Sequence, residues 1–469
     1  MTKDLTTGSP MRLITGFALP TLFGMLFQQL YNLVDTMIVG KLLGASALAA
    51  VGATGSVNFF VIGFCIGVCN GFAIPVAQRI GANEPSKMRR YVANAAYLSA
   101  LFAVLLTVAT GLLCRQILTL MLTPDDIFSG AYTYIFVIFM GIPATFLYNL
   151  LAGIIRSLGD SKTPVYFLAM SSVLNIVLDF LLILGFRGGV AGAAVATVAS
   201  QGVSGIACLF YMMKKYPILR MTQEERRFDL HSCGVLCAMG LPMGLQYSVT
   251  AIGSIILQSS VNALGSLYVA AVAAGGKVYQ LLACPFDAMG ATMATYCGQN
   301  VGACKLDRLG RGVRACSLLG LGYSALAFCA MLQFAPQCTL LFLDSREANA
   351  AFLLELGSQY IVIQSAFFFP LSLVNIVRFS IQGMGFSPFA ILAGVLEMAA
   401  RTVVGLFLVP MFGYTAACFA SPAAWICADL FLIPACMGCI AKLRRLYPNA
   451  PGEEPVPVTP VALHAGAHR

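Results

Sequence analysis

Apolar residues gather along this chain into twelve runs of about 20 residues or more, the length an α-helix needs to cross a ~30 Å hydrocarbon core. The runs lie near 13–39, 51–77, 91–113, 132–155, 165–186, 190–213, 235–261, 268–297, 313–334, 356–379, 388–410 and 414–441. Glycine and proline interrupt several of them, which blurs their ends without dividing them. The pattern predicts an all-α integral membrane protein with twelve transmembrane helices. The polar opening MTKDLTTGSPMRL and the length of the first run argue for a retained first span rather than a cleaved signal peptide.

The runs form two sets of six that repeat one another. Leu19-Pro20 is answered by Leu241-Pro242 at an offset of 222, and the Gln-x-x-Gly-Ala of VAQRIGA (76–82) by that of CGQNVGA (297–303) at 221. RSLGDSKTP (156–164) is answered by QGMGFSP (382–388), and Asn175 and Asp179 fall on Glu397 and Arg401. An even number of spans per half sets both halves the same way up, as two six-helix lobes related by a pseudo-two-fold along the membrane normal. The expected division is an N-terminal lobe 1–213, a charged cytoplasmic linker 214–234, a C-terminal lobe 235–445 and a Pro-rich tail 446–469, the last expected to be disordered. Small residues at helix-packing spacing, Gly63-x3-Gly67-x3-Gly71 and Gly240-x3-Gly244, predict close crossings.

Composition sharpens this picture. The chain is 59% hydrophobic and 10% charged, against roughly 25% charged in a soluble domain. Its net charge of +9 does not form a nucleic-acid patch, because the basic residues alternate between loops. With the N-terminus in the cytoplasm, 22 basic residues, Arg156 and Arg378 among them, fall inside, and only Lys41, Arg115, Arg187 and Arg346 fall outside. That bias places both termini in the cytoplasm of a cell whose plasma membrane the chain spans. The sixteen cysteines are scattered through apolar helices and read as small hydrophobes, with one CxxC at Cys436–Cys439. No phosphate-binding GxxxxGK[ST] is present, and His231, His464 and His468 lie in loops or the tail, so the chain does not read as an enzyme.

The polar residues inside the spans carry the chemistry. Asp35, Asn175, Asp179 and Thr197 share one layer in the outer half of the first lobe when each helix rises 1.5 Å per residue. Asn175 and Asp179, four apart, face the same way. Two close carboxylates at hydrocarbon depth cannot both carry charge comfortably, so such a pair calls for a shared proton or a hard monovalent cation. In the second lobe Glu397 and Arg401 read as a self-neutralised polar pair. Lys277 is expected to meet Asp287 or a carbonyl, and Asp429 has no evident partner. Tyr31, Tyr148, Tyr247, Tyr279 and Met289, with Lys277, are candidates for lining a substrate cavity.

The stretches FALPTLFGMLFQQLYNLVDTMIVGKLLGASALAAVGATGSVNFF, GFAIPVAQRIGANEPSKMRRYVANA, IIRSLGDSKTPV and MATYCGQNVGA together resemble the multidrug and toxic compound extrusion (MATE) family, over about 5–445. The resemblance implies two six-helix lobes and efflux of drugs or metabolites driven by inward movement of Na⁺ or H⁺. It makes Asp35 the first-helix coupling acid and Asn175, Asp179 and Thr197, with the Ala193 carbonyl, a first-lobe cation site. Thr250 stands where one branch of the family has a glutamate, which favours coupling through the first lobe. The expected function is thus a cation-coupled antiporter without a cofactor, acting as a monomer in the bilayer on small, cationic amphipathic molecules. A lipid-linked precursor flippase and a cation channel are the alternatives.

Overall fold

The computed structural model describes residues 4–121, 123–342 and 349–447. Arg346 and the tail beyond 447 lie outside the described residues. The described residues are all-helical, with spans here called α1 Pro10–Leu43, α2 Gly55–Gly81, α3 Pro85–Leu120, α4 the bent pair Asp125–Met140 and Ile142–Ser157, α5 Lys162–Gly185 and α6 Gly189–Lys215. The second set is α7 Leu230–Asn262, α8 Ser266–Gly302, α9 Asp307–Leu340, α10 the bent pair Ala350–Ala366 and Phe368–Gly383, α11 Pro388–Phe412 and α12 Tyr414–Leu446. Ten helices are long and apolar enough to cross a membrane alone, and twelve spans result when each bent pair counts as one.

The bends have a common cause. α4 turns by 47° at Gly141 and α10 by 51° at Phe367, and Pro143 and Pro370 follow each break. A helical proline withholds an N–H from the carbonyl four residues back, Phe139 and Ala366 respectively, and its ring crowds that carbonyl. A second irregularity also repeats. Leu181–Gly185 in α5 and Val404–Leu408 in α11 are single turns of π-helix, just after Asp179 and Arg401.

The described residues form two compact units, the first built on Phe23–Ser248 and the second on Leu5–Leu22 with those of Val249–Val456. The division therefore falls inside α1 and α7 and not in the linker at 214–234. Hydrogen bonds give the reason. The start of the chain is bound to the second unit, Leu5 N–H donating to Gln299 Oε1 at 3.0 Å and Asn300 Nδ2 to the Leu5 carbonyl at 3.2 Å. The start of α7 is bound to the first, Asp229 N–H donating to Asn94 Oδ1 at 2.9 Å. Glycines tighten that packing: a Cβ on Gly71 would meet Gly240 Cα at 2.5 Å, and one on Gly67 would meet the Met243 carbonyl at 2.6 Å. Only hydrogen side chains permit this α2–α7 crossing within the first unit.

Unit 1 packs around fully buried Phe72, Phe139 and Ile135. Large apolar residues elsewhere, such as Leu112, Leu120 and Phe210, are exposed on outer helix faces, where a bilayer replaces water as the solvent. The linker is strapped to α3 by Glu225, which accepts from Arg89 Nε at 2.8 Å and Nη2 at 2.7 Å and from Thr222 N–H at 2.9 Å. The Arg89 guanidinium and that N–H hold the Glu225 carboxyl down to about 2.

Candidate functional site

In unit 1 the structure brings Asp35 and Asp179 together, close enough for each carboxyl group to act on the other. Asp35 is eight residues before the end of α1 and Thr197 eight residues into α6, so each sits ~12 Å from its helix end, in one layer. Asn175 and Asp179 are 1% and 0% exposed. The Asn175 amide, oriented to satisfy its neighbours, donates to Asp179 Oδ2 at 3.0 Å and accepts from Thr197 N–H at 3.2 Å. Thr197 Oγ1 is 3.3 Å from that amide and donates to the Ala193 carbonyl at 3.1 Å. Tyr31, one turn before Asp35, hydrogen-bonds to the Thr197 side chain.

This cluster is built of oxygens, with Asn175 and Asp179 buried and Asp35 and Thr197 half-buried. Ile38, Val39, Ile183 and Ala193 are buried around it, with Val34 and Ile176 against them. Oδ1 of Asp35 and Oδ1 of Asp179 are buried and have no hydrogen-bond partner. Two carboxylates in contact inside an apolar shell repel unless a proton or cation lies between them, and the two orphaned oxygens are where either would bind. Among the described residues no three Cys, His, Asp or Glu side chains gather as a metal site. The set fits a proton or a hard monovalent ion better than a zinc-like metal. The π-turn after Asp179 shifts the helical register beside the pair, a device common at functional sites.

Tyr134 of α4 belongs to the neighbourhood and was not legible as a site residue: it is 8% exposed and close enough to the two carboxylates to feel their charge. Its only sequence signal is a phenol inside an apolar span, which packing alone would also explain.

Unit 2 arranges the equivalent positions differently. Arg401 Nη2 is 3.5 Å from Glu397 Oε2, as the four-residue spacing predicts, but Arg378 also binds Glu397, through its Oε1. The pair is thus part of a triad. Arg401 Nη1 has no hydrogen-bond partner, nor has Oδ1 of Asp429. Asp287 and Asp429 lie near enough to Arg378 to feel its charge. The expected Lys277–Asp287 pair does not form among the described residues. Ten residues of α8 separate the two by ~15 Å along the axis, and Lys277 is exposed.

Arg156 and Arg378 were both counted on the cytoplasmic side, Arg378 within the run 356–379. Both stand inside helices, 222 residues apart, and Arg378 is 6% exposed. The remaining candidates separate by unit. In unit 1, Tyr148 donates to the Pro164 carbonyl at 3.0 Å and Tyr247 packs on Gly63. In unit 2, Tyr279 stacks on Trp425 with ring centroids 6.0 Å apart, and Met289 is half-buried.

The MatE family model matches this chain twice, at residues 20–181 and 242–407, so the second match starts at the offset of the internal repeat. The "Probable multidrug resistance protein YpnP" of Bacillus subtilis (strain 168) is 31% identical over 385 residues, covering 80% of this chain and 82% of that one. The "Probable multidrug resistance protein YoeA" of the same organism is 30% identical over 354 residues, covering 74% and 76%. A solved structure described as "MATE in complex with MaL6" superposes with a TM-score of 0.87 at 22% identity, over 95% of this chain and 100% of the other. Two model matches spanning most of both halves, close relatives along most of the length and the shared twelve-span fold lead to one assignment: the chain is a multi-pass membrane transporter of the MATE multidrug efflux family.

Proposed function

We propose that this protein is a cation-coupled antiporter that exports drugs, toxic compounds or metabolites by alternating access. The observation that carries the reading is the Asp35–Asp179 pair, with its two orphaned buried oxygens and the Asn175, Thr197 and Ala193 oxygens beside it. One proton or one Na⁺ relieves the repulsion between the carboxylates, and loss of that ion restores it. Binding and release therefore change the free energy of the helices that carry the acids, which is what coupling requires. The Ala193 carbonyl is in reach because Thr197 sits one turn after it on α6.

Substrates in this reading are small amphipathic molecules, cationic ones foremost, since carboxylates and aromatic faces both attract cations. The protein acts as a monomer in the plasma membrane with both termini in the cytoplasm, and its only consumable is the coupling ion. The test is uptake of a cationic dye into proteoliposomes under a Na⁺ gradient and a pH gradient imposed separately. Stimulation by either gradient, lost in Asp35→Asn, is the expected result. Uptake indifferent to both gradients would overturn coupling.

A further inference from the structure

Arg156 is a cation that no acidic side chain of unit 1 pairs with among the described residues. It is the next-to-last residue of α4, and its Nη2 donates to Asn70 Oδ1 of α2 at 3.1 Å. Asn70 is eleven residues before the end of α2 at Gly81, or ~17 Å along the helix. Among the described residues Arg156 makes no salt bridge. Its other polar neighbours are Tyr148, Tyr247 and Cys69, and its side chain is partly exposed. A guanidinium at this depth, held by one neutral amide, lacks the negative charge that would offset its lost hydration.

The repeat makes that lack specific. Arg378, the equivalent residue, binds Glu397 and has Asp287 and Asp429 nearby. The counterpart of Glu397 in unit 1 is Asn175, which is engaged with Asp179 and Thr197. The arginine is repeated and its acids are not. What surrounds Arg156 is aromatic and fixed: Tyr148 by its bond to the Pro164 carbonyl at 3.0 Å, and Tyr247 by Gly63, where a Cβ would stand 3.4 Å from the tyrosine Cβ.

We infer that Arg156, with Asn70, Tyr148 and Tyr247, is an anion-recognition site of unit 1 that takes the carboxylate of an aromatic substrate. The inference rests on reading the protein as a small-molecule exporter and adds acidic aromatic compounds to its substrates. Guanidinium donors pair with a carboxylate through two parallel hydrogen bonds, and phenol rings supply stacking faces.

Two xanthene dyes of opposite charge, fluorescein and rhodamine 6G, test it by fluorescence polarisation on the full-length protein in lipid nanodiscs. Wild type binds fluorescein. Arg156→Gln weakens that binding by about tenfold or more, whereas rhodamine 6G binds at least as tightly, because a repelling charge has gone. Arg156→Lys restores part of the fluorescein binding, keeping charge and losing the two-pronged geometry. Asn70→Asp keeps the arginine and gives it an internal anion, as in unit 2, so it also weakens fluorescein by about tenfold, and it serves if Arg156→Gln fails to fold. Fluorescein that ignores wild type, fluorescein bound equally by wild type, Arg156→Gln and Asn70→Asp, or equal weakening of both dyes overturns the inference. The measurement is made at equilibrium without ion gradients, so a failure of Asp35→Asn to uncouple transport leaves it intact.

Discussion

Asn175 and Asp179 in one unit and Glu397 and Arg401 in the other occupy equivalent places on equivalent helices, each just before a π-turn. In unit 2 the one acid at these positions is neutralised from within, by two arginines on one glutamate. In unit 1 two acids meet with an asparagine, and two oxygens have no partner. An acid already held by two fixed cations does not call for a further ion. A pair of acids that needs one more positive charge can take one up and give it back, which is the exchange the proposed coupling requires. The same backbone thus carries an acid held by two arginines in one half and, in the proposed cycle, an exchanging pair of acids in the other.

The largest effect that would break this comparison comes from Asp35 or Asp179. Asp35→Asn and Asp179→Asn should each abolish gradient-driven dye uptake in proteoliposomes while leaving a folded monodisperse protein, since shape is kept and the ionisable group is removed. Wild-type uptake in either variant would end the assignment of the ion to unit 1. Glu397→Gln should reduce uptake far less at matched protein levels, and equal damage would show that unit 2 takes part in coupling.

Stability sharpens the other side. Arg378→Ala strands Glu397 on the longer Arg401 contact of 3.5 Å and should lower thermal stability in detergent by the equivalent of about 3–5 kcal/mol. Arg401→Ala should cost less, because Arg378 still holds the acid. Adding Glu397→Gln to Arg378→Ala should recover most of the loss, and a double variant as unstable as the single would show that packing, not charge, sets the cost.

The smallest effect lies at the linker. The Glu225 carboxyl is held at about 2 against an ordinary value of 4.5, a depressed value, so its contribution is fully present above the ordinary value and fades as pH falls from 4.5 through about 2. Hydrogen exchange across 216–229 should quicken over that window in wild type and be quick at all pH in Glu225→Gln. Exchange that stays slow to the bottom of the window would mean other contacts hold the strap.

The span count and the meeting of Asp35, Asn175, Asp179 and Thr197 were legible because both follow from a fixed rise per residue and a fixed membrane thickness. The distance that separates Lys277 from Asp287 was in the same arithmetic. The burial of Arg378 and the Arg156–Asn70 bond were not legible in a count of basic residues, which cannot tell a loop arginine from one that turns inward. The two arginines' offset of 222, the offset of the repeat, was the available signal. Tyr134 and the π-turns were not legible, since a phenol in an apolar run and one extra residue in a helical turn leave no periodic mark.

Translation meets a consequence of where the two units divide. The first unit is not complete until Ser248 has been made, and the second needs Leu5–Leu22, the earliest of its residues by more than two hundred positions. The opening turns of α1 leave the ribosome long before Gln299 and Asn300, the side chains that hold Leu5, exist. Such contacts, nearly three hundred residues apart, close late and slowly. In the bilayer the start of α1 must wait without its partners until the chain has been made through Asn300.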